Sequence, residues 1–350
     1  MAFQTYDTAE LVKVIRTVRA PTSYWLDLLF PSTITFDSKE IDFDLVDRSR
    51  RLAPFVAPTA QGVPMLQEGY VTRRFTPAYI KPKDMVDPAR LLKRQAGEAF
   101  LGELSPQQRE DLIVADILET HRFAIERRWE WMACEAAVKG AVTVSGPDYP
   151  TKTVSFGRAA SLTKNLTGAA RWGGAGVTGA DTALKDIETW MQEVHRISGY
   201  TPNRITMGIN AWDAFKAQPG VEKMLDTRRG SANSLETGPG AGLPWQYRGS
   251  LDSAGGLQIW TYNDIYEDEE GNSVNFFDQD SIVLTSPAVE GVRAFGAIMD
   301  RRAGWIPTAM FSKMWEQEDP SCLYLMTQSA PLMIPTRPNA SLTAKVINPA

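Results

Sequence analysis

Cysteine and histidine are the residues of this chain that could ligate zinc or supply a nucleophile and a base. There are two of each, and Cys134, Cys322, His121 and His195 all stand alone, with no CxxC or HxxxH spacing. A zinc site needs several such ligands close together, and a nucleophile needs a base and an orienting partner. The spacing therefore argues against a metal site and a catalytic set. The two thiols are predicted to be small buried side chains.

A glycine-rich segment is the candidate for nucleotide binding. Residues Gly174–Gly179 read GAGVTG, which matches the G-x-G-x-x-G pattern and precedes a predicted helix. The dinucleotide fingerprint also requires an apolar strand directly upstream and an acidic residue about 20 positions later on a second strand. Here the upstream sequence is polar, and the nearest acidic candidate, Glu193, lies on the predicted helix itself. We predict a flexible connector, and keep a nucleotide-binding enzyme that uses this loop as a remote alternative.

The charged and aromatic residues indicate no ligand either. The densest acidic run, Glu267 to Glu270, lies in a predicted hairpin turn and lacks the spacing of a calcium loop, so we predict a solvated tip. The ten tryptophans fall mostly on apolar faces, where they are predicted to pack in the core or at an interface. Basic residues are scattered among acidic stretches, which argues against tight binding to duplex DNA. We expect no cofactor, no metal ion and no catalytic residue.

Length and composition are those of an ordinary folded protein. The chain has 350 residues, with 37 basic and 42 acidic side chains and a formal charge of −5. At about 100–200 residues per domain, this length predicts two domains or one elaborated domain that folds without disulfide bonds. No apolar run reaches the roughly 18 residues of a membrane span, and the first residues lack the features of a signal peptide. We expect a soluble protein that is not exported and has no membrane partner.

The most regular predicted element is a helix over residues 106–139. Ser105, Pro106 and Gln108 form a capping box with proline at the first helical position, and Gly140 supplies a stop. At 1.5 Å per residue this helix would be about 50 Å long. Apolar residues are predicted to form its buried face, namely Leu112, Ala115, Leu118, Ile125, Trp129, Met132 and Ala136. Charged residues are predicted to fall mainly on the remaining surface, namely Glu110, Arg122, Glu126, Arg127 and Glu130.

Two segments before this helix are predicted to lie outside the main core, a hairpin and an N-terminal helix. Apolar and acidic residues alternate over 41–45, as in a half-buried strand, and a second strand-like run covers 69–80. The connection between them is rich in proline, so we predict a hairpin arm whose packing is completed by another chain. Residues 11–18 have the apolar spacing of a short amphipathic helix in a locally basic segment. We expect this segment, which ends at Pro21, to dock on a neighbour or on the domain itself.

Short helices and strands alternate irregularly over 181–299, which predicts a compact α+β domain there. A pair of short strands is predicted over 141–156 and a second helix over 181–199. Further strands are predicted at 204–209, 257–262, 275–277, 282–286 and 293–299. The C-terminal residues are apolar enough to return into the core.

Three motifs in the sequence carry a family resemblance. They are FTPAYIKPK at Phe75–Lys83, LDTRRGS at Leu225–Ser231 and QSAPLM at Gln328–Met333. Together and in this order they resemble the major capsid proteins of tailed bacteriophages of the lambda type, over nearly the whole chain. The resemblance implies the HK97-type capsid fold, an α+β fold. Its parts would be an N-terminal arm at 1–30, an extended E-loop hairpin at 31–85, a peripheral domain at 86–180 with the spine helix 106–139, an axial domain at 181–299, and a C-terminal return to the peripheral domain at 300–350.

The resemblance also implies the function. Such a protein would self-assemble as hexamers and pentamers into an icosahedral shell that encloses double-stranded phage DNA without reading its sequence, and would mature by expansion. It would not be an enzyme. It would be assembled in the host bacterial cytoplasm, reside in the capsid of the virion, and work with a separate scaffold, a portal and a small decoration protein. The alternative within the same fold is the shell protein of an encapsulin-like compartment.

Residues of two of these motifs, with two neighbouring arginines, are the candidates for contacts between subunits. Arginine and lysine side chains on the hairpin and in the LDTRRGS motif could form ion pairs with a neighbouring chain, although solvation of the same charges is an open alternative. The candidates are Arg73, Arg74, Phe75, Tyr79, Lys81, Lys83, Asp226, Arg228 and Arg229.

Overall fold

A computed structural model describes most of the chain. The described residues are 23–46, 52–53, 55–59, 61, 70–87, 89–90, 105–146, 149–173, 181–226, 243–251, 254–268, 270–304, 306–319 and 322–347. The predicted helix at 11–18 and the glycine-rich loop at 174–179 lie outside them.

Helices and strands are mixed along the described chain, as expected for an α+β fold. The helices are α1 (Tyr24–Leu29), α2 (Pro106–Lys139), α3 (Ala183–Ser198), α4 (Ile209–Lys216) and α5 (Pro219–Asp226). The strands are β1 (Ser32–Thr35), β2 (Ile41–Val46), β3 (Tyr70–Phe75), β4 (Lys83–Val86), β5 (Ala141–Gly146), β6 (Tyr149–Ser155), β7 (Thr163–Asn165), β8 (Arg204–Met207), β9 (Trp245–Leu251), β10 (Leu257–Tyr262), β11 (Ile265–Glu267), β12 (Ser273–Asn275), β13 (Ser281–Thr285), β14 (Val292–Phe295), β15 (Phe311–Gln317), β16 (Cys322–Gln328), β17 (Pro331–Ile334) and β18 (Ser341–Lys345).

The strands form one large sheet and several small ones. The six-stranded sheet has the order β7-β18-β13-β8-β10-β9. Two three-stranded sheets have the orders β1-β14-β17 and β15-β16-β4. The pairs β2-β3, β5-β6 and β11-β12 are antiparallel ribbons. Two of these ribbons, β2-β3 and β5-β6, lie where the sequence predicts paired strands.

The long helix α2 has the predicted bounds. The Ser105 hydroxyl accepts a hydrogen bond from the Gln108 amide at 3.3 Å, and the Gln108 side chain accepts one from the Ser105 amide at 2.9 Å. Gly140 ends the helix in the left-handed conformation, with φ of 63°. The capping box and the glycine stop are therefore confirmed.

The predicted buried face of α2 is wrong at its N-terminal end. Leu112 is exposed, and the neighbouring Ile113 is buried instead. The N-terminal half of α2 packs on the β15-β16-β4 sheet, where Ile113, Val114, Ile117 and Leu118 form a core with Val86, Met314 and Leu325. The C-terminal half packs on α1 and on the β1-β14-β17 sheet. Because the two halves meet different partners, the buried face shifts around the helix axis.

Glu130 on α2 is buried, against the prediction that it lies on the polar face. Its carboxylate accepts hydrogen bonds from the amides of Tyr24, Trp25 and Leu26 at 3.1, 2.8 and 3.0 Å. These amides begin α1 and have no partner within their own helix. Burial raises the pKa of Glu130 to about 7, and the three amide hydrogen bonds oppose that shift. One carboxylate thus holds the start of α1 against α2.

The other sides of α1 contact the six-stranded sheet and β14. The hydroxyl of Tyr24 shares a 2.7 Å hydrogen bond with Thr206 on β8, and its ring stacks on Tyr262 of β10 with centroids 5.1 Å apart. From β14, Arg293 donates to the carbonyl oxygens of Phe30 and Leu26 at 2.7 and 3.0 Å. The short helix α1, which no sequence pattern predicted, therefore joins α2 to two sheets.

Arg158 connects the C-terminal end of α2 to the six-stranded sheet. Its guanidinium donates to the carbonyl oxygens of Ala137 and Val138, which the helix leaves without partners. It also donates to the hydroxyls of Thr163 on β7 and Thr343 on β18 at 2.9 and 3.3 Å. Burial lowers the pKa of Arg158 to about 10. This charge is held inside the fold by four polar contacts.

The C-terminal residues divide between two layers. Strands β15 and β16 pair with each other and with β4, beside α2. Strand β18 instead lies between β13 and β7 in the six-stranded sheet. Leu342 and Ala344 of β18 are buried in the core of the larger sheet. The predicted domain bounds, including the C-terminal return to the peripheral domain over 300–350, stay predictions.

Replacing Gly140 by alanine is expected to destabilise the subunit more than the same change at Gly168. Both glycines have left-handed φ, 63° and 59°, which costs an alanine about 1–2 kcal/mol. A Cβ on Gly140 would also lie 2.7 Å from Cβ of Arg158, whereas nothing lies within 4 Å at Gly168. Urea unfolding of the unassembled subunit should show a loss for G140A about 1 kcal/mol or more above that for G168A. Equal losses would contradict the expected clash with the Arg158 side chain.

Glu130→Gln is expected to remove a pH dependence from folding stability. The folded-state pKa of about 7 lies above the ordinary value of 4.5, so the folded state binds more protons than the unfolded state between these values. The stability contribution of Glu130 is therefore greatest below pH 4.5 and falls as the pH rises to about 7. The unfolding free energy of the parent protein relative to E130Q should fall by about 3 kcal/mol over that window. Glu119→Gln, at an exposed position of the same helix, is the control. A difference that does not change with pH would sink this prediction.

Candidate intersubunit surface

The β2-β3 hairpin is attached firmly at its base. Ile41 pairs with Phe75 across the ribbon and is completely buried. Phe43 and Phe75 are partly buried against the core around α1 and α2, and the Phe43 ring lies 5.9 Å from that of Phe156. Phe75, a predicted contact residue, thus packs within its own chain.

The two hairpin arginines also have partners in their own chain. Arg74 lies opposite Asp42 in the ribbon and donates to both of its carboxylate oxygens, at 2.8 and 3.1 Å. Glu40 is 3.3 Å from the same guanidinium. The hydrogen bonds from Arg74 lower the pKa of Asp42. Arg73 donates to the carbonyl oxygen of Ser155 on β6 at 2.7 Å.

The residues that follow the hairpin are fastened to the C-terminal part of the chain. Ile80 and Ser329 exchange two backbone hydrogen bonds of 2.9 and 3.0 Å, so the FTPAYIKPK and QSAPLM motifs meet in space. The Tyr79 hydroxyl donates to the carbonyl oxygen of Ala297 at 2.6 Å and accepts from the amide of Met299 at 2.9 Å. Burial raises the pKa of Tyr79. These contacts fix the direction in which the hairpin leaves the body.

The hairpin lysines lie over aromatic rings of their own chain. Lys81 Nζ is 4.8 Å from the centre of the Tyr79 ring. Lys83 Nζ is 3.9 Å from the centre of the Tyr324 ring, which stacks on Trp315. Cation–π contacts of this kind at exposed sites contribute about 0.5–1 kcal/mol.

The LDTRRGS motif is described only at its start. Asp226 is the last residue of α5, and its side chain lies outside the described residues, as do Arg228 and Arg229. Their predicted contacts with a neighbouring chain stay predictions.

Apolar side chains beyond the hairpin strands are uncovered. Leu52 is 94% exposed and Phe55 106% exposed, and Val56 is exposed as well. An uncovered cluster of this kind on a folded chain indicates a partner surface. These residues were not among the sequence candidates, although the apolar run LAPFV within a proline-rich stretch was a usable signal.

Hydrogen-bonded side chains around His121 include the residue types of a catalytic triad, but the hydroxyl groups among them are buried. Nδ1 of His121 lies 3.2 Å from the Thr327 hydroxyl, and Nε2 lies 2.8 Å from Asp84. Ser312 shares a 2.9 Å hydrogen bond with Thr327. Both Ser312 and Thr327 are completely buried, so no substrate can reach either hydroxyl. These hydrogen bonds connect α2 to the β15-β16-β4 sheet.

The cysteines, the acidic run and the glycine-rich segment were the other sequence features that could have carried chemistry. Cys134 and Cys322 are buried, as predicted. The described residues of the acidic run, Glu267, Asp268 and Glu270, lie at the tip of the β11-β12 ribbon, where backbone amides of the turn lower the pKa of Asp268. A 3-10 turn at Gly168–Ala170, not an apolar strand, precedes the glycine-rich segment.

The described residues offer neither a metal site nor a membrane-spanning helix. No group of three or more His, Cys, Asp or Glu side chains in the described part of the chain could hold a metal ion. No described helix has the length and apolar character needed to cross a membrane.

Comparison with known proteins identifies relatives that match almost the whole chain. The chain is 28% identical over 346 residues to the major capsid protein of Enterobacteria phage phi80, covering 97% of this chain and 99% of that protein. The major capsid protein of Escherichia phage lambda matches with the same identity and coverage.

Solved structures show the same fold. The putative capsid protein of a prophage of Escherichia coli CFT073 superimposes with a TM-score of 0.71 at 22% identity, covering 98% of this chain and 99% of that one. The mature capsid of bacteriophage PhiM1 matches with a TM-score of 0.54 at 10% identity, covering 95% of this chain and 89% of that one. The fold is thus the HK97-type capsid fold. The profile of the family "Phage major capsid protein E" matches residues 7–346, and the chain belongs to this family.

Proposed function

We propose that this chain self-assembles as hexamers and pentamers into an icosahedral shell around double-stranded phage DNA, and that the shell matures by expansion. A structural role in a capsid shell follows from membership of the family. The observation that supports the finer proposal is the hairpin. Its base is fixed to the body, while Leu52 and Phe55 beyond its strands are uncovered and available to a neighbouring chain.

A hairpin that contacts a neighbouring subunit is compatible with assembly into closed rings of subunits. Each subunit would offer its hairpin to one neighbour and receive that of another, which makes the contact heterologous and closes it around a five-fold or six-fold axis. Burial of the exposed apolar side chains would stabilise the contact. Each contact can be weak because every subunit makes several. Charges at the hairpin could add ion pairs with the neighbour, and Asp226, Arg228 and Arg229 are kept as candidates for the same role.

Partners and location follow the same proposal. A separate scaffold would guide assembly, a portal would admit DNA, and a small decoration protein would bind the outside of the shell. Assembly would take place in the host cytoplasm, and the mature protein would reside in the capsid of the virion. The chain would act without catalysis and contact DNA without reading its sequence.

Replacing the uncovered apolar residues should prevent assembly and leave the subunit folded. Leu52→Gln with Phe55→Gln removes apolar surface that contacts little of its own chain, so the unfolding free energy should change by less than about 0.5 kcal/mol. The yield of closed shells or rings in electron microscopy, with the neighbouring genes co-expressed, should fall at least tenfold. Leu112→Gln, on the exposed face of α2, is the matched control and should assemble normally. A normal yield of shells from the double variant would refute the assigned contact.

The shell is expected to be held together without covalent bonds between subunits. Mature particles that are boiled in detergent under reducing conditions should run as a single monomer band on a denaturing gel. A ladder of oligomers would contradict this expectation.

A further inference from the structure

A groove beside the C-terminal half of α2 has no assigned role. It has a volume of about 1060 Å³ and lies between α2, the β5-β6 ribbon and the β11-β12 ribbon. Trp131, Tyr266 and Phe276 supply aromatic surface within it. The rings of Tyr266 and Phe276 are 4.9 Å apart, and the neighbouring Ile265 is exposed. An apolar floor of this size is suited to one face of a helix.

The two long walls of the groove carry opposite charges. Arg127 and Arg128 lie on the α2 side. Arg127 rests on the Phe276 ring at 5.1 Å and donates to the carbonyl oxygen of Ile265, and Arg128 rests on the Trp131 ring at 5.3 Å. The opposite wall carries the carboxylates of the β11-β12 ribbon, Glu267, Asp268 and Glu270. A segment that fits must therefore be apolar at its centre, acidic on one flank and basic on the other.

We propose that this groove is the docking site of the chain's own N-terminal segment, residues 10–19. Leu11, Val14, Ile15 and Val18 have the spacing of one helical stripe. At about 100° per residue, Glu10 falls on one flank of that stripe and Arg19 on the other. Arg16, on the side of Arg19, and Lys13, on the side of Glu10, both fall near the face opposite the stripe. The order of the two flanking charges matches the two walls. It also sets the direction of the docked helix, because the reverse direction would place like charges together.

The described chain begins close to this groove. The amide of Tyr24 is bonded to Glu130, and the groove residues Ala124, Arg127, Arg128 and Trp131 form a stripe on the same helix. Their spacing places this stripe about a third of a turn around α2 from Glu130. A four-residue connection spans up to about 13 Å, which is enough to pass around a helix about 10 Å wide. Residues 20–23 can therefore carry the segment to the groove of the same subunit.

Docking in the same chain is favoured by proximity and does not depend on shell formation. A short tether gives the segment an effective concentration in the millimolar range, so modest contacts suffice. The docked helix would cover the aromatic floor and place Arg19 against the acidic ribbon, with Arg16 on the same side. The expected interaction weakens with salt, because the paired charges lie at the surface.

A cysteine pair in the full chain tests the docking. Val12 lies on the flank of the segment that would face the acidic wall, and Ser273 is an exposed residue of that wall. The two natural cysteines are buried and should not compete. In the dilute, unassembled V12C/S273C subunit, mild oxidation should give a bond within one chain, identified by peptide mass spectrometry. In the control V12C/Q107C, the second cysteine lies on α2 about 36 Å from Trp131 in the groove. This control subunit should form its disulfide at least tenfold more slowly than V12C/S273C.

Charge exchange tests the proposed orientation. In the V12C/S273C background, R16E/R19E and E267K/E270K should each slow bond formation at least fivefold, and the four changes together should restore it. Equal rates for the test pair and its control would overturn the proposal. A disulfide-linked dimer would overturn it as well, because the occupant would then come from a second copy. Failure of the exchange to restore the rate would refute the assigned charge pairing.

Discussion

The buried carboxylate of Glu130 is the contact on which the arrangement of the main layers depends. The first amides of α1 are removed from water and require an acceptor, since an unpaired buried donor costs about 1–3 kcal/mol. Glu130 satisfies three of them at distances of 2.8–3.1 Å. With α1 fixed in this way, Tyr24 reaches the six-stranded sheet through Thr206, and Arg293 reaches α1 from β14. Burying the charge is unfavourable by itself, which explains why the pKa of Glu130 rises although three donors surround it.

A second set of contacts lies at the C-terminal end of α2. It holds the larger sheet against α2 more firmly than the outer part of the β2-β3 hairpin is held. Arg158 satisfies the last carbonyl groups of α2 and the hydroxyls of two strands of the larger sheet at once. A rotation of that sheet against α2 would have to break or move all of these contacts together. The described residues between the strands of the β2-β3 hairpin make no comparable set of contacts, and Leu52 and Phe55 are uncovered. Movement of the outer hairpin therefore breaks fewer interactions than movement at the end of α2.

Local signals in the sequence predicted local structure well and missed contacts between distant residues. The capping box at Ser105 and the glycine stop at Gly140 bounded α2 correctly, because both act within one turn of the chain. The alternation at 41–45 located β2 for the same reason. Glu130 was placed on the polar face because its partners lie more than 100 residues away. The pairing of β18 with β13, and the shift of the buried face from Leu112 to Ile113, likewise depend on which elements meet in three dimensions.

Two of the motifs that carry the family resemblance, FTPAYIKPK and QSAPLM, make contacts within one chain. The basic residues also have partners within the chain, since Arg74 pairs with Asp42 and Lys83 covers the Tyr324 ring. Their contacts with a neighbouring chain stay a prediction. Tyr79 and Ile80 fasten the hairpin to residues of the C-terminal half. A shell needs its hairpins to leave every subunit at the same angle, because small angular errors accumulate around a closed ring. The FTPAYIKPK motif fixes the base of the hairpin through contacts within its own chain, and in the proposed shell the exposed residues beyond it contact the neighbour.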